Sequence, residues 1–255
     1  MNHVKIIENK LINSFKVLNG LPNYIAIEEK NEIEFDNEEL QNNLIELIKI
    51  GVKLGINRIS ALINRTSQHY LNLSEMLIHH GFEPYASKVE VYRDLHDINS
   101  NIKEYTWRSI EEATISEGKF KECWKQCMSG SDNAPSSLTM DEHLNSVKSE
   151  LGDNWMSSCK VIFLKDKSIG ISIPHIEPGT IDEGRLFYFG VLPEHRGKGL
   201  SSFIHHQSLY LLKQMGASYY IGSTHEKNIK MQKVFQRNNC SIKAHTESYY
   251  KYFNI

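Results

Sequence analysis

The stretch Arg185–Ser201, RLFYFGVLPEHRGKGLS, carries the pattern that decides the fold. Its apolar first half predicts a strand, Pro193 ends that strand, and a basic, glycine-rich loop leads into residues with helical spacing. Glycines let consecutive N–H groups point into one concavity, and a helix N-terminus adds unpaired N–H groups and a positive dipole end. The stretch therefore indicates either a phosphate cradle, with Arg196 and Lys198 supplying charge at its rim, or an ordinary strand-to-helix turn.

Several classes of protein are excluded by motifs and composition. The sequence contains neither G-x-x-x-x-G-K-[S/T] nor G-x-G-x-x-G, so a Walker loop and a dinucleotide fingerprint are absent. The 29 basic and 31 acidic residues nearly balance, which argues against a nucleic-acid binder. No run of about 18 apolar residues indicates a membrane span. Because the first residues also lack the apolar core of a signal peptide, we expect a soluble cytoplasmic protein.

The cysteines and histidines do not indicate a metal site. The four cysteines are too few and too scattered for a disulfide framework. Histidines occur as adjacent pairs at 79–80 and 205–206, and no spacing of Cys and His resembles that of a zinc site. We therefore expect no metal.

The elements around the opening stretch alternate between strands and helices. Thr139 followed by Glu142 has the form of a capping box, and a hairpin is predicted to turn at residues 165–167. Beyond the glycine-rich loop, the patterns predict a helix up to Gly216, a strand at 218–224, a helix at 228–238 and a strand at 247–253.

The first hundred residues predict a second set of alternating elements. Apolar residues three and four apart predict a helix from Glu38 that stops at Gly55. Thr66 or Ser67 is positioned to cap a second helix, which stops at Gly81. Strands are predicted at residues 23–29, 31–35, 58–63 and 87–95.

The two halves share an order of elements: helix, glycine, strand, helix, turn, strand. Their last strands align without a gap, with Phe82 opposite Cys240 and Leu95 opposite Phe253. Either chance similarity of αβ units or an internal repeat explains this, and a repeat would make the first half a truncated relative of the second. The polar segment at about 96–102 is the predicted linker.

The segment from Phe189 to Thr224 resembles the acetyl-CoA site of the GNAT superfamily of acyl-CoA-dependent N-acyltransferases. That family carries a strand, a Val-x-Pro sequence, the motif [Gln/Arg]-x-x-Gly-x-[Gly/Ala] and a helix. Arg196, Gly199 and Ser201 occupy the three motif positions, with Ser201 in place of the usual Gly or Ala. The element order agrees over about 103–255, and the motifs are specific mainly over 185–240.

The resemblance implies a mixed, mostly antiparallel α/β sheet flanked by helices. It implies an acetyltransferase domain at 103–255, preceded by a truncated GNAT-like domain at 1–98 that does not bind CoA. The CoA pyrophosphate would lie on backbone N–H groups of the glycine-rich loop, and the pantetheine arm along a strand that splays from its neighbour. The residues implied to contact acetyl-CoA are Gly190, Val191, Leu192, Arg196, Gly197, Lys198, Gly199, Leu200, Ser201, Asn228 and Phe235.

The catalytic residues are implied less directly. The family often places a Tyr as general acid seven residues after the Asn that matches Asn228, but the residue there is Phe235. Water or another tyrosine would then protonate the leaving thiolate, or catalysis is lost. The alternative tyrosines are Tyr249, which we take as the catalytic candidate, and Tyr250, Tyr188 and Tyr220.

A general base is equally open. The family often uses a Glu on the strand before the loop, or a water relay. The matching place is near Arg185, which is not acidic, with Glu183 and Glu177 close by. We take Glu183 and His175 as the candidates.

Three functions follow from the resemblance. The first is transfer of an acetyl group from acetyl-CoA to a primary amine of a small molecule by direct attack. The alternatives are a non-catalytic acyl-CoA-binding regulatory module, which Phe235 motivates, and a protein or peptide N-acetyltransferase. No nucleic-acid or membrane partner is expected, and the oligomeric state is open, with a homodimer as one option.

Overall fold

The computed structural model describes residues 3–22, 24–30, 36–99, 105–132, 136 and 138–253. The predicted strand at 31–35 lies outside the described residues. The chain divides into two compact units, of which unit 1 comprises residues 1–89 and 244–255 and unit 2 comprises residues 90–243.

The elements follow one another in an α/β order. The helices are α1 His3–Lys10, α2 Asn37–Leu54, α3 Tyr70–His79, α4 Glu117–Met128, α5 Met140–Leu151, α6 Trp155–Ser158, α7 Leu200–Gln214 and α8 Ile229–Arg237. The strands are β1 Phe15–Gly20, β2 Tyr24–Glu29, β3 Arg58–Asn64, β4 Glu83–Asp94, β5 Tyr105–Ser109, β6 Lys160–Leu164, β7 Lys167–Ile176, β8 Glu183–Val191, β9 Tyr219–His225 and β10 Ser241–Tyr252. In the described part of the chain, no helix combines the length and the apolar character needed to cross a bilayer.

Unit 1 contains a mixed sheet with the strand order β1-β2-β3-β10-β4. β1 pairs antiparallel with β2, β2 parallel with β3, and β3 antiparallel with β10. Leu40, Leu44 and Leu47 recur on one side of α2 and are buried with Ile59 and Ala61 of β3. The core of unit 1 therefore lies between its helices and one face of its sheet.

Unit 2 contains the strand order β4-β9-β8-β7-β6-β5. The pairs from β5 to β8 are antiparallel, and β8 pairs parallel with β9. The mixed, mostly antiparallel α/β class expected from the sequence is thus confirmed. One core cluster joins α4 and α5 to the sheet and includes the fully buried Phe120 and Trp124 of α4.

The unit boundaries differ from the predicted domain boundaries of 1–98 and 103–255. β4 and β10 are each twelve residues long, and each strand begins in one unit and ends in the other. Each half of the sequence therefore supplies its last strand partly to the other unit. Such an exchange leaves no local compositional mark, whereas the predicted linker at 96–102 was placed by its polar composition.

The alignment of the two halves agrees with the strand bounds. Phe82 and Leu95 directly flank β4, and Cys240 and Phe253 directly flank β10. The element order α2-β3-α3-β4 also matches α7-β9-α8-β10. The bounds of the two strands thus match the register of the alignment, and the internal repeat stays a prediction.

Several local predictions are confirmed and one is wrong. Gly55 ends α2 in the left-handed conformation, and Thr139 with Glu142 forms the capping box of α5. Thr66 and Ser67 do not cap α3, which begins at Tyr70. Their side chains and backbone close a turn instead, since Ser67 Oγ accepts from the His69 N–H. The helix α1 and the strand β1 were not predicted.

Candidate functional site

Strands β8 and β9 lie side by side only at their first residues. They pair in parallel at Glu183 with Tyr219 and at Gly184 with Tyr220, although β8 has nine residues and β9 seven. The later parts of these two described strands do not pair with each other. Unpaired strand edges leave N–H and C=O groups that an extended ligand can use. The splay implied by the resemblance is therefore present.

The splay opens into two neighbouring cavities in unit 2. The larger cleft has a volume of about 500 Å³ and the smaller cavity about 200 Å³. Both are lined by Tyr188, Phe189 and Met231. The larger is also lined by Cys127, Gly130, Ser131, Asp132, Gly190, Val191, Arg196, Gly197, Ser201, Asn228, Lys230 and Val234. The smaller is also lined by Arg185, Leu186, Phe187, Tyr220, Ile221, Gly222, Ser223, Thr224 and Phe235.

The glycine-rich loop has the backbone that a phosphate cradle requires. Gly197 has φ +74° and Gly199, the N-cap of α7, has φ +77°, and a Cβ placed on either would enter open space. No side chain caps α7, and its first turn carries no acidic residue. Within the described residues, none of the N–H groups of 197–200 donates to a backbone carbonyl. These free donors at a helix N-terminus fit a diphosphate.

Arg196, which the sequence placed as charge at the rim of the loop, lines the cleft and is held by hydrogen bonds within the protein. Its guanidinium donates to four backbone carbonyls, those of Val191 at 3.0 Å, Cys127 at 2.9 Å, Ser129 at 2.8 Å and Gly130 at 3.0 Å. Three of these carbonyls belong to the C-terminal end of α4 and the residues that follow it. Arg196 therefore ties the loop to α4 and holds two walls of the cleft together.

The other predicted cofactor residues divide into two groups. Gly190, Val191, Gly197, Ser201 and Asn228 line the cleft, and Phe235 lines the smaller cavity. Leu192 is buried in the core beneath α4, Leu200 packs against a separate core cluster, and the Lys198 ammonium donates to the Glu194 carbonyl at 2.8 Å. Gly199 shapes the loop without lining the cleft.

Asn228 at the start of α8 lines the larger cleft, and Phe235 within α8 lines the smaller cavity. The Asn228 carboxamide oxygen accepts from the Met231 N–H at 3.0 Å and so caps α8. Phe235 is 2% exposed and packs edge-on against His205, with centroids 5.5 Å apart. The position at which the family often has a hydroxyl is therefore an apolar part of the cavity wall.

Tyr188 lines both cavities and carries a hydroxyl group. This oxygen is buried and has no hydrogen-bond partner among the described residues, and its ring packs 5.3 Å from that of Trp124. Burial raises the pKa of Tyr188, the neighbouring Cys127 raises it further, and Arg196 opposes the shift. The phenol is thus kept protonated beside the cleft. The cleft is also lined by Cys127 of α4, by residues 130–132 in the loop after it and by Lys230 of α8, which were missed because none of them matches a family motif.

The two expected bases lie at the start of β8 and near the end of β7, and neither lines either of the two cavities described above. One Glu183 oxygen accepts from Arg185 Nε at 2.6 Å and the other from the Tyr219 hydroxyl at 3.1 Å. His175, opposite Arg185 in the β7–β8 pair, is 4% exposed and lies near the carboxylates of Glu150 and Glu177. Glu183 is therefore a fully engaged ion-pair partner.

Tyr249 belongs to the core of unit 1. It is 2% exposed, and its hydroxyl donates to the Glu247 carboxylate at 2.8 Å. The same carboxylate accepts from Tyr70 and Ser87. The sequence choice of Tyr249 as a proton donor therefore has no support from this placement, since its hydroxyl serves a hydrogen-bond network in the core.

A buried histidine backs the wall of the smaller cavity. His205 of α7 is fully buried among the rings of Phe189, Tyr220 and Phe235, and its Nδ1 lies 2.9 Å from the Asn238 carboxamide nitrogen. Because the amide nitrogen is a donor, Nδ1 accepts and the ring is neutral. Burial, with a smaller effect of His206, lowers the pKa of His205 to about 3.

This burial predicts a loss of stability in acid. The unfolded chain protonates His205 below about pH 6.5, whereas the folded chain does not until about pH 3. The contribution of His205 to the free energy of unfolding is therefore complete above pH 6.5 and is lost as the pH falls towards 3. About 2 kcal/mol of this free energy is lost at pH 5. Denaturant unfolding at several pH values should show this fall in the free energy of unfolding with decreasing pH, both in the parent and in the control variant His206→Gln. A His205→Gln variant with the parental slope would contradict it.

Comparisons with known proteins identify the fold. No protein-family model matches the sequence, and no curated protein matches it. A GCN5-related N-acetyltransferase from Sphaerobacter thermophilus has a TM-score of 0.63 at 16% identity, covering 93% of this chain and 76% of that chain. One from Kribbella flavida has a TM-score of 0.56 at 13% identity, covering 99% and 96%. A tandem GNAT protein from the clavulanic acid biosynthesis pathway has a TM-score of 0.54 at 10% identity, covering 93% and 78%.

These identities are too low to carry an activity from one protein to another, but the superpositions span nearly the whole chain. Together with the splayed β8–β9 pair and the glycine loop before α7, they show that the chain has the fold of the GCN5-related N-acetyltransferases, the GNAT fold.

Proposed function

We propose that the chain is a GNAT-superfamily enzyme that transfers an acetyl group from acetyl-CoA to a primary amine of a small molecule. One observation carries the proposal: a splayed parallel strand pair leads into a cleft of about 500 Å³ that ends at an uncapped helix N-terminus with two left-handed glycines. A diphosphate joined to an extended, amide-containing arm matches both parts of this cleft.

Binding uses the backbone more than charged side chains. The N–H groups of residues 197–201 hold the pyrophosphate, and the open edge of β8 near Gly190 pairs with the amides of the pantetheine arm. Asn228 lines the cleft on the other side. Since Arg196 and Lys198 already donate to protein carbonyls, they shape the loop without neutralising the phosphates directly.

Acetyl-CoA supplies the acetyl group as a thioester. The amine nitrogen bonds to the carbonyl carbon, the carbon–sulfur bond breaks, and its electron pair stays on sulfur. The Tyr188 hydroxyl gives its proton to that sulfur, and solvent later restores the phenol. Water takes the proton that the amine loses. Glu183 is fully engaged by Arg185 and Tyr219. Among carboxylates and imidazoles, Asp132 alone lines the two described cavities, and it is paired with Lys230 at 3.1 Å.

The assignment of Tyr188 predicts a selective loss of turnover. Tyr188→Phe removes the proton donor but keeps the ring that packs on Trp124, so kcat is expected to fall about 100-fold while KM for acetyl-CoA changes little. The matched control is Tyr210→Phe, at a tyrosine on the far part of α7 that contacts Gln214. Steady-state kinetics of the two variants and the parent compare their kcat and KM values. An unchanged kcat in Tyr188→Phe would leave the hydroxyl without a role in proton transfer.

The N-terminal half is proposed not to bind CoA. Its parallel pair β2–β3 stays paired over five consecutive positions, from Tyr24 with Arg58 to Glu28 with Leu62, so no gap opens between these strands. The N-terminus of α2 is capped by Asp36, and Glu38 and Glu39 occupy its first turn. These carboxylates repel a diphosphate at the position where the second half has glycines.

A non-catalytic acyl-CoA-binding module is the second candidate, and Phe235 favours it because this buried ring replaces the usual general acid. Calorimetric titration with acetyl-CoA and thiol release against a panel of primary amines separate the two functions. Binding with amine-dependent release supports the transferase, and binding with only solvent-rate release supports the module. Absence of acetyl-CoA binding would refute both.

A further inference from the structure

A cluster of three ligand-type side chains lies in unit 2 outside the two cavities. His175 of β7 has its Nε2 atom 3.7 Å from Glu150 Oε1 and 3.5 Å from Glu177 Oε2. The three ligand atoms all lie within 4.8 Å of one another. Two ligands at about 2.0–2.2 Å from a tetrahedral Zn²⁺ ion are separated by about 3.4 Å. The two distances from His175 Nε2 are close to this value and too long for good hydrogen bonds.

The histidine itself points to a ligand. His175 is 4% exposed, and neither ring nitrogen has a hydrogen-bond partner among the described residues. Buried polar atoms are nearly always satisfied, and an imidazole nitrogen aimed between two carboxylate oxygens is satisfied by a cation. Since no hydrogen bond fixes the tautomer, Nε2 is free to be the unprotonated nitrogen that a metal requires.

The local charge also calls for a cation. Glu150, Glu177 and Glu183 place three carboxylates around His175 and Arg185, and Arg185 Nε lies 2.6 Å from Glu183 and 3.3 Å from Glu177. A cation between Glu150 and Glu177 would reduce the repulsion between these two carboxylates. Glu150 lies on the solvent side, where ions and water have access.

We propose that Glu150, His175 and Glu177 form a binding site for one divalent transition-metal ion, with Zn²⁺ as the best match. One imidazole and two carboxylates are the ligand types that zinc takes in sites with three protein ligands and one water. The ion links α5 to the end of β7. The proposal does not depend on acetyl transfer, and it revises the expectation of no metal, which rested on Cys and His spacing in the sequence.

The test is a calorimetric titration of the untagged full chain with Zn²⁺ after treatment with a chelator. We expect one equivalent to bind and the melting temperature to rise with it. His175→Gln and Glu150→Gln should each weaken binding by at least about 10-fold, since each removes a ligand. Glu150 is exposed, so Glu150→Gln tests the site without disturbing the core.

The matched control is Asp153→Asn. Asp153 is an exposed carboxylate three positions beyond Glu150, and its loss removes the same charge without removing a proposed ligand. Parental affinity in Asp153→Asn with weak binding in the two ligand variants supports the site. The proposal is overturned if the parent binds no Zn²⁺, if His175→Gln binds as the parent does, or if Asp153→Asn weakens binding as much as Glu150→Gln. Co²⁺ titrated into the same protein should give the intense visible absorption of a tetrahedral site.

Discussion

Replacing Gly197 by leucine is expected to weaken the binding of acetyl-CoA by at least about 100-fold. Gly197 lines the cleft with φ +74°, and its missing side chain leaves open the space in front of the loop. A leucine there occupies the position proposed for the pyrophosphate. It separates the phosphate oxygens from several backbone N–H donors, each worth about 1.5–3 kcal/mol to a charged acceptor.

The matched control is Gly216→Leu, because backbone strain and ligand exclusion have to be separated. Gly216 follows α7 with φ +100°, a side chain there would also meet open space, and it lines neither cavity. Each substitution costs about 1–2 kcal/mol of stability through the left-handed backbone. Calorimetric titration should show parental affinity in Gly216→Leu only. Equal affinities in the two variants would place the phosphates elsewhere.

The elements around the glycine-rich loop could be predicted from the sequence because they are local. The strand, the Pro193 break, the two glycines and the start of α7 are consecutive, and each has a short-range signature. The splay between β8 and β9 was accessible only through the family resemblance. Nothing in either strand's composition says where the pairing of two parallel strands stops.

Other features are set by tertiary packing and so left no local signature. The sequence suggested that Arg196 contacts phosphate, because an arginine at the rim of a loop is usually free to bind a ligand. In the fold, its guanidinium donates to carbonyls at the C-terminal end of α4, almost seventy positions earlier in the chain. Tyr249 and Tyr188 both lie on strands and were indistinguishable in sequence. Only the fold places one in the core of unit 1 and the other beside the cleft.

The cluster around His175 could not be predicted from the sequence either, because its three members lie on different elements of the fold. Glu150 ends a helix, His175 lies near the end of a strand, and Glu177 follows in a turn. Metal motifs recognised in sequence depend on ligands that share one helix or one knuckle, so this arrangement has no spacing rule. The partition into units has the same origin, because β4 and β10 each continue from one unit into the other without a turn that could be read.

Substituting Arg196 is expected to damage both stability and binding. Arg196→Gln removes most of the four hydrogen bonds to the carbonyls of Val191, Cys127, Ser129 and Gly130. Buried or half-buried carbonyls left without donors make the expected loss of stability about 2–4 kcal/mol. The glycine loop also loses its attachment to α4, so the cleft is no longer preorganised and acetyl-CoA binds about 10-fold or more weakly.

Arg196→Lys separates geometry from charge. An ammonium keeps the positive charge but presents no planar fork, so it cannot bridge carbonyls on two elements at once. If Arg196 acts through geometry, Arg196→Lys and Arg196→Gln should show the same loss of thermal stability and the same loss of acetyl-CoA affinity. The control is Arg237→Gln, at an exposed arginine at the end of α8, and it should behave as the parent. Amide hydrogen exchange should rise locally at residues 127–131 and 196–201. If Arg196→Lys binds acetyl-CoA with parental affinity, Arg196 acts through its charge, which attracts the phosphates of the ligand as was expected from the sequence.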